Sequence, residues 1–363
     1  MHLKELQFKN IRNLEDGALQ LAPHLTWIYG ENGAGKTSLL EAVYLLSSGR
    51  SFRTNTIDRV IKEAEPQFVV FGLGELQAQE HRIGLQRERN GEFVIRLNGN
   101  NVKRLSDIAH LLPVLAFTPD SYRLVDGAPK ERRRFLDWGV FHVEHSYAET
   151  YSKFSKVLRH RNALLRMRAS SEELGVWTSS FCQVAHSVAQ MRARYWETLG
   201  PVLSARFNEL LPDNKVEFQY FQGWVGDLQE QLSEHSDKEF ESGITRTGPQ
   251  KADIRLRMGR VSADEVLSRG QSKLLVQAML MAQISVFSEQ TGRSGILLLD
   301  DVGGELDQGR FKALLRQILS LNHWQVLVSS TDFGDKALLK EYNSAMFHVE
   351  HGKVQKVDPA DWV

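Results

Sequence analysis

Apolar and polar residues alternate in short runs over the first 120 positions: LKELQFKNI, FVVFGLG, HRIGLQRE and FVIRLNG. That period of two predicts half-buried strands, and the Asn98-Gly99 pair closing the last run marks a hairpin. Between them LTWIYG is a continuous apolar run, and KTSLLEAVYLLSSG behind it has helical spacing. From about residue 121 the period lengthens. APKERRRFLDWGVFHVEH, ETYSKFSKVLRHRNALLRMRA and the long segment from VWTSS to NELL repeat apolar residues at three and four, which predicts helices up to the break at Pro212-Asp213. Strand patterns return in KVEFQYF and ADIRLRM, and LLVQAMLMAQ is helical in character. GILLLD and WQVLVSST are apolar runs short enough for buried parallel strands. The expectation is an α/β domain split by a helical insertion. Residues 1–120 form its N-terminal half with a small antiparallel sheet, 121–212 a helical arm, and 213–363 its C-terminal half.

Charge changes this picture only locally. Lys plus Arg and Asp plus Glu are both 45 in 363 residues, so any nucleic-acid binding must come from a patch. One stretch qualifies: residues 123–168 hold eleven Lys and Arg against five Asp and Glu. A helix face with Lys130, Arg132, Arg133 and Arg134 is the candidate for neutralising DNA phosphates, with a solvated amphipathic face as the alternative. Nothing resembles a base-reading element. The single cysteine, Cys182, lies among apolar residues and is expected in the core, and one cysteine suits a reducing compartment. No apolar run approaches the roughly 18 residues of a membrane span, and the start MHLKELQFKN is too polar for a signal peptide, so a cytoplasmic protein is expected. FHVEH occurs at 141–145 and 347–351 without matching flanks, and its histidines are expected at the surface.

The strongest chemical signal is GENGAGKTS, residues 30–38, which fits Gly-x-x-x-x-Gly-Lys-Thr between a strand and a helix. The backbone of Gly30, Glu31, Asn32, Gly33, Ala34 and Gly35 is expected to curl around phosphates, with Ser38 closing the stretch. Lys36 faces the β and γ phosphates and the Thr37 hydroxyl holds Mg²⁺. Such a loop needs a second acid, and GILLLDD supplies it: Asp300 on the metal side, and Asp301, pointing the other way, as a general base for water. A base shorter than the usual Glu implies slow hydrolysis.

LSRGQ, residues 267–271, resembles the signature motif of ABC-type ATPases and stands 32 positions before Asp300. In that class two heads dimerise around ATP, so the resemblance implies that Ser268, Gly270 and Gln271 close on nucleotide held by a second copy. Arg269 departs from the usual glycine. The same resemblance places Asp307 of GGELDQGR near the dimer seam, and leaves Ser330 or Thr331 of VLVSSTD where these enzymes keep a histidine switch.

Lys36 and Asp300 are 264 positions apart, too many for a typical transporter subunit and far too few for the coiled coils of SMC proteins. FKNIRNL, GENGAGKTSLLEAVYLLSSGRSFRT, DSYRLVDGAPKERRRFLDW, TRTGPQKADIRL, LSRGQSKLL and LLLDDVGGELD resemble, in order and end to end, the RecF family of bacterial recombination mediators. Gln250-Lys251 stands where that family commonly has His-Arg. The resemblance implies an ATP-dependent homodimer with slow, DNA-stimulated hydrolysis. It further implies binding to duplex DNA near gaps or single-strand junctions, action with RecR and RecO to load RecA, and a part in the SOS response. Likeness to SMC-type heads adds Arg12 and Asn32 to the nucleotide's neighbours. A chromosome-organising SMC-like head and, more distantly, an ABC transporter subunit are the alternatives.

Overall fold

The computed structural model describes residues 1–301, 308–320 and 324–361. Two compact units emerge, one of residues 1–121 and 293–363, the other of 122–292.

The first unit opens with β1 (His2–Lys9), β2 (Gly17–Gln20) and β3 (Leu25–Tyr29), then the helix Lys36–Ser48. It continues through β4 (Gln67–Leu76), β5 (Gln79–Glu88), β6 (Phe93–Leu97) and β7 (Asn100–Asn101) to a short helix, Leu105–Leu111, and β8 (Val114–Phe117). β2-β1-β4-β5-β6-β7 is an antiparallel sheet. Its alternation is read directly from the residues: Phe68 and Val70 on β4, and Ile83 and Leu85 on β5, are buried while their neighbours are partly exposed. These side chains share one core with Leu39, Leu40, Val43 and Leu46 of the helix, each fully buried Leu or Val contributing about 1.5–3 kcal/mol. Asn98 and Gly99 join β6 to β7 with φ of 51° and 84°, the left-handed pair that a two-residue hairpin requires.

The second unit holds three long helices, Pro129–Val143, Tyr147–Met167 and Ser171–Leu210. Pro129 starts the first, where a missing N–H costs nothing, and the Ser170 hydroxyl caps the third by accepting from Glu173 N. β9 (Glu217–Phe221), β10 (Asp253–Met258) and β11 (Val261–Ser262) form a small antiparallel sheet, followed by the helix Arg269–Thr291. That helix is apolar nearly all round and packs on Ser171–Leu210 and Pro129–Val143. Its need for burial on several sides carries residues 213–292 into the helical unit, so the second unit extends beyond the expected arm of 121–212. Two buried arginines tie the middle segment down. Arg192 grips Asp137 with both fork ends at 2.7 and 2.9 Å and donates to Pro249 O, while Arg161 bonds Glu239 and Thr245. Cys182 is buried, as expected. His142 is not the surface residue anticipated: it packs against Trp138 and Phe287 in the core, because its position in the helix falls on the apolar face.

The chain then returns to the first unit with β12 (Ile296–Asp300), the helix Gln308–Leu319, β13 (Gln325–Ser330), the helix Lys336–Glu341, β14 (Ala345–Glu350) and β15 (Lys353–Lys356). The second sheet runs β15-β14-β3-β13-β12-β8, parallel throughout except for the β14-β15 hairpin. Every residue of β12 and β13 is buried, so residues 296–299 and 326–328 are continuous apolar stretches, while Gln325, Ser329, Ser330 and Asp300 are buried polar residues at the strand ends. The register pairs Asp300 with Ser329 and Ser330 with Tyr29, so the carboxyl ends of β3, β12 and β13 meet at one rim, where open α/β sheets bind ligands. No described helix is long and apolar enough to cross a membrane.

Candidate nucleotide-binding site

The loop between β3 and its helix is held in shape by backbone that only glycine tolerates. Gly30 and Gly35 have φ of 153° and 120°, and a Cβ on Gly30 would lie 2.1 Å from Val349 O. From the β14-β15 turn Gly352 N donates to Ala34 O at 2.8 Å, and Asn13 Nδ2 donates to Gly33 O at 2.9 Å. The helix begins at Lys36 with no side-chain cap, so no side chain claims the donors of its first turn. Lys36 is buried, and its Nζ donates to Gly30 O and Glu31 O at 2.8 and 2.9 Å, which arches the loop over the ammonium. Burial lowers its pKa below the ordinary lysine value; the charges of Asp301 and then Asp300 act in the opposite sense.

The Thr37 hydroxyl donates to Asp300 Oδ1 at 2.8 Å, the pairing expected of a metal-binding Thr and Asp. Ser329 donates to the same oxygen at 2.7 Å. Asp301 adopts a left-handed φ of 52° and its N–H donates to Ser329.

Arg12, expected beside the nucleotide, is committed to Glu41 of the loop's helix by a two-toothed pair at 2.8 and 2.9 Å, and a third donor reaches Arg59 O. Glu31 and Asn32 are exposed, and the Ser38 hydroxyl donates to Asn13 Oδ1. Ser330 accepts from Asp332 N, while Thr331 is exposed. Asp307 lies outside the described residues.

In the second unit Ser268 and Gln271 form a capping box: Gln271 N donates to Ser268 Oγ and Ser268 N to Gln271 Oε1. Ser268, Arg269 and Gly270 are exposed, and nothing lies within 4 Å of where a Cβ on Gly270 would sit. The proposed DNA face does not survive intact. Arg132 is forked onto Asp253 at 2.8 and 3.1 Å and donates to Gly127 O, and Arg133 donates to Ala252 O. Arg132 thus ties the helix to β10 and Arg133 to the residue that precedes it, and both are half-buried. Lys130 and Arg134 remain exposed, Arg134 in a pair with Glu131.

Residues 2–355 match the family model described as the RecF/RecN/SMC N terminal domain. DNA replication and repair protein RecF of Shewanella loihica is 38% identical over 99% of this chain and its own full length; that of Pseudomonas entomophila is 39% identical over 98% of each. The chain belongs to the RecF family. A solved structure of a RecF with ATP, a recombination mediator protein in the RecFOR pathway, matches with a TM-score of 0.88 at 26% identity over 98% of both chains. An SMC head bound to the C-terminal winged-helix domain of ScpA, at 16% identity and a TM-score of 0.58, shares the fold. Two residues in this RecF-family site escape sequence reasoning. Ser329 is one place before the switch candidates in VLVSST, and only the strand register sets it opposite Asp300. Asn13 adjoins Arg12 in FKNIRNL, but no spacing signals its reach to the loop.

Proposed function

We propose that this RecF-family chain is an ATP-dependent, DNA-binding recombination mediator of the cytoplasm. The observation that carries the reading is the 2.8 Å contact between Thr37 Oγ1 and Asp300 Oδ1 beside the buried Lys36 ammonium. Two converging hard oxygens fit Mg²⁺, and the glycine-shaped loop with its open helix start fits the phosphates of ATP. The cation would neutralise charge on the phosphates when bound. Thr37 and Asp300 would hold it, Ser329 would fix Asp300, and Lys36 would turn its charge toward the β and γ phosphates. Asp301 would accept a proton from the attacking water, and its short reach fits slow hydrolysis.

Ser268 and Gly270, exposed at their helix start, would close with the half-buried Gln271 on ATP held by a second copy, with Asp307 at the seam. The ATP-bound homodimer would bind duplex DNA near gaps or single-strand junctions and act with RecR and RecO to load RecA in replication, recombinational repair and the SOS response. DNA-stimulated hydrolysis would reset it. The test is Ser268→Arg, followed by analytical ultracentrifugation with and without ATP. The variant is expected to bind ATP as the parent does but to stay monomeric; an ATP-dependent dimer from it would reduce LSRGQ to a helix cap.

A further inference from the structure

β10 places Asp253, Arg255 and Arg257 on one face and Ile254 and Leu256 in the core. The β10-β11 turn, with Gly259 at a φ of 64°, carries Arg260 at its exposed tip. Arg255, Arg257 and Arg260 line a polar recess of about 260 Å³ together with Arg132 and Asp253. Charge in this recess is unbalanced. Asp253 is occupied by the two-toothed pair from Arg132, and Asp264 accepts the Ser262 hydroxyl. Arg255, Arg257 and Arg260 form no ion pair among the described residues, although Glu217 stands opposite Arg257 across the strand pair. The Arg255 guanidinium lies 3.8 Å over the Phe221 ring, which holds the planar cation in place without neutralising it.

Forked guanidinium groups without carboxylate partners are suited to phosphate oxygens, and residues two apart on a strand stand about 7 Å from each other. We propose that Arg255, Arg257 and Arg260 of the β10-β11 hairpin grip the phosphate backbone of duplex DNA. This inference rests on the DNA-binding reading above. It assigns that reading a surface that acts on charge and shape rather than on base sequence.

The test measures fluorescence anisotropy of labelled duplexes of two unrelated sequences with the full-length protein and ATP across a salt series. Arg257→Ala/Arg260→Ala removes two exposed side chains, and Arg255→Gln is added to it in a second variant. ATP affinity and melting temperature should stay at parental values for the double variant. Affinity should fall roughly tenfold or more, equally for both duplexes, and the slope of log K against log salt should shrink by about 0.9 for each phosphate no longer neutralised, up to about 1.8 for the pair. An unchanged slope in a parent that does bind would overturn the hairpin assignment and leave DNA binding standing. Weaker binding to one sequence only would overturn the backbone assignment, and a parent that binds neither duplex would overturn both readings.

Discussion

The phosphate loop and the Ser268 helix start look alike in sequence, each a short run with glycine and a hydroxyl residue at the head of a helix, yet they are built differently. The loop's helix has Gly35 at its cap and no side chain on its first donors, while Lys36, Asn13 and Gly352 hold the backbone from three directions. At Ser268 the helix's own residues serve two backbone donors, the Gln271 and Ser268 N–H groups, through the capping box. An anion can therefore meet the first turn of the loop's helix without displacing a side-chain cap. At Ser268 an anion that takes the Gln271 N–H must replace a cap bond, typically worth about 1 kcal/mol. The two helix starts thus differ in how much of their donor capacity their own side chains already claim.

The sharpest way to break that comparison is to remove the loop's charge. Lys36→Ala should abolish ATP binding in isothermal titration, because it deletes both the cation for the phosphates and the arch over Gly30 and Glu31; parental affinity would move the site away from this loop. Next in size is Asp301→Asn. Loss of a positioned base typically costs a factor of about 10² to 10⁴ in rate, so single-turnover hydrolysis should drop by that much while ATP binding and dimerisation persist, and the ATP-bound dimer should accumulate on size-exclusion chromatography. A parental hydrolysis rate would place the base elsewhere. The smallest effect is expected from Ser329→Ala, which removes one hydrogen bond to the Asp300 carboxylate. A bond to a charged group is worth about 1.5–3 kcal/mol, so Mg-ATP affinity should fall about tenfold to a hundredfold with little change in metal-free nucleotide binding. An equal loss with and without Mg²⁺ would show that Ser329 supports the fold rather than the metal-side carboxylate.

Local pattern made the strands, the long helices and the phosphate loop legible from the chain alone. Alternation at β4 and β5, the apolar stretches 296–299 and 326–328 of β12 and β13, and Gly-x-x-x-x-Gly-Lys-Thr between strand and helix each express a short-range physical requirement: a two-sided surface, burial on both faces, or backbone that only glycine can adopt. Such requirements are satisfied within a few residues, so they are written in a few residues.

What tertiary structure alone decided depends on partners far apart in the chain. Arg132 and Lys130 carry the same charge two positions apart, but β10 lies under one and solvent over the other, and Asp253, 121 residues away, determines which is spent on structure. Ser329 gains its place at Asp300 from the parallel register of β12 and β13, and the Asp301 N–H donates to Ser329 where the backbone takes a left-handed φ at the end of β12. The helix Arg269–Thr291 joins the helical unit because an apolar surface on every side has to be covered by whatever packs there. Periodicity names the face a residue occupies along its own element; only packing brings the neighbour that fixes whether its charge is paired, buried or left open to a ligand.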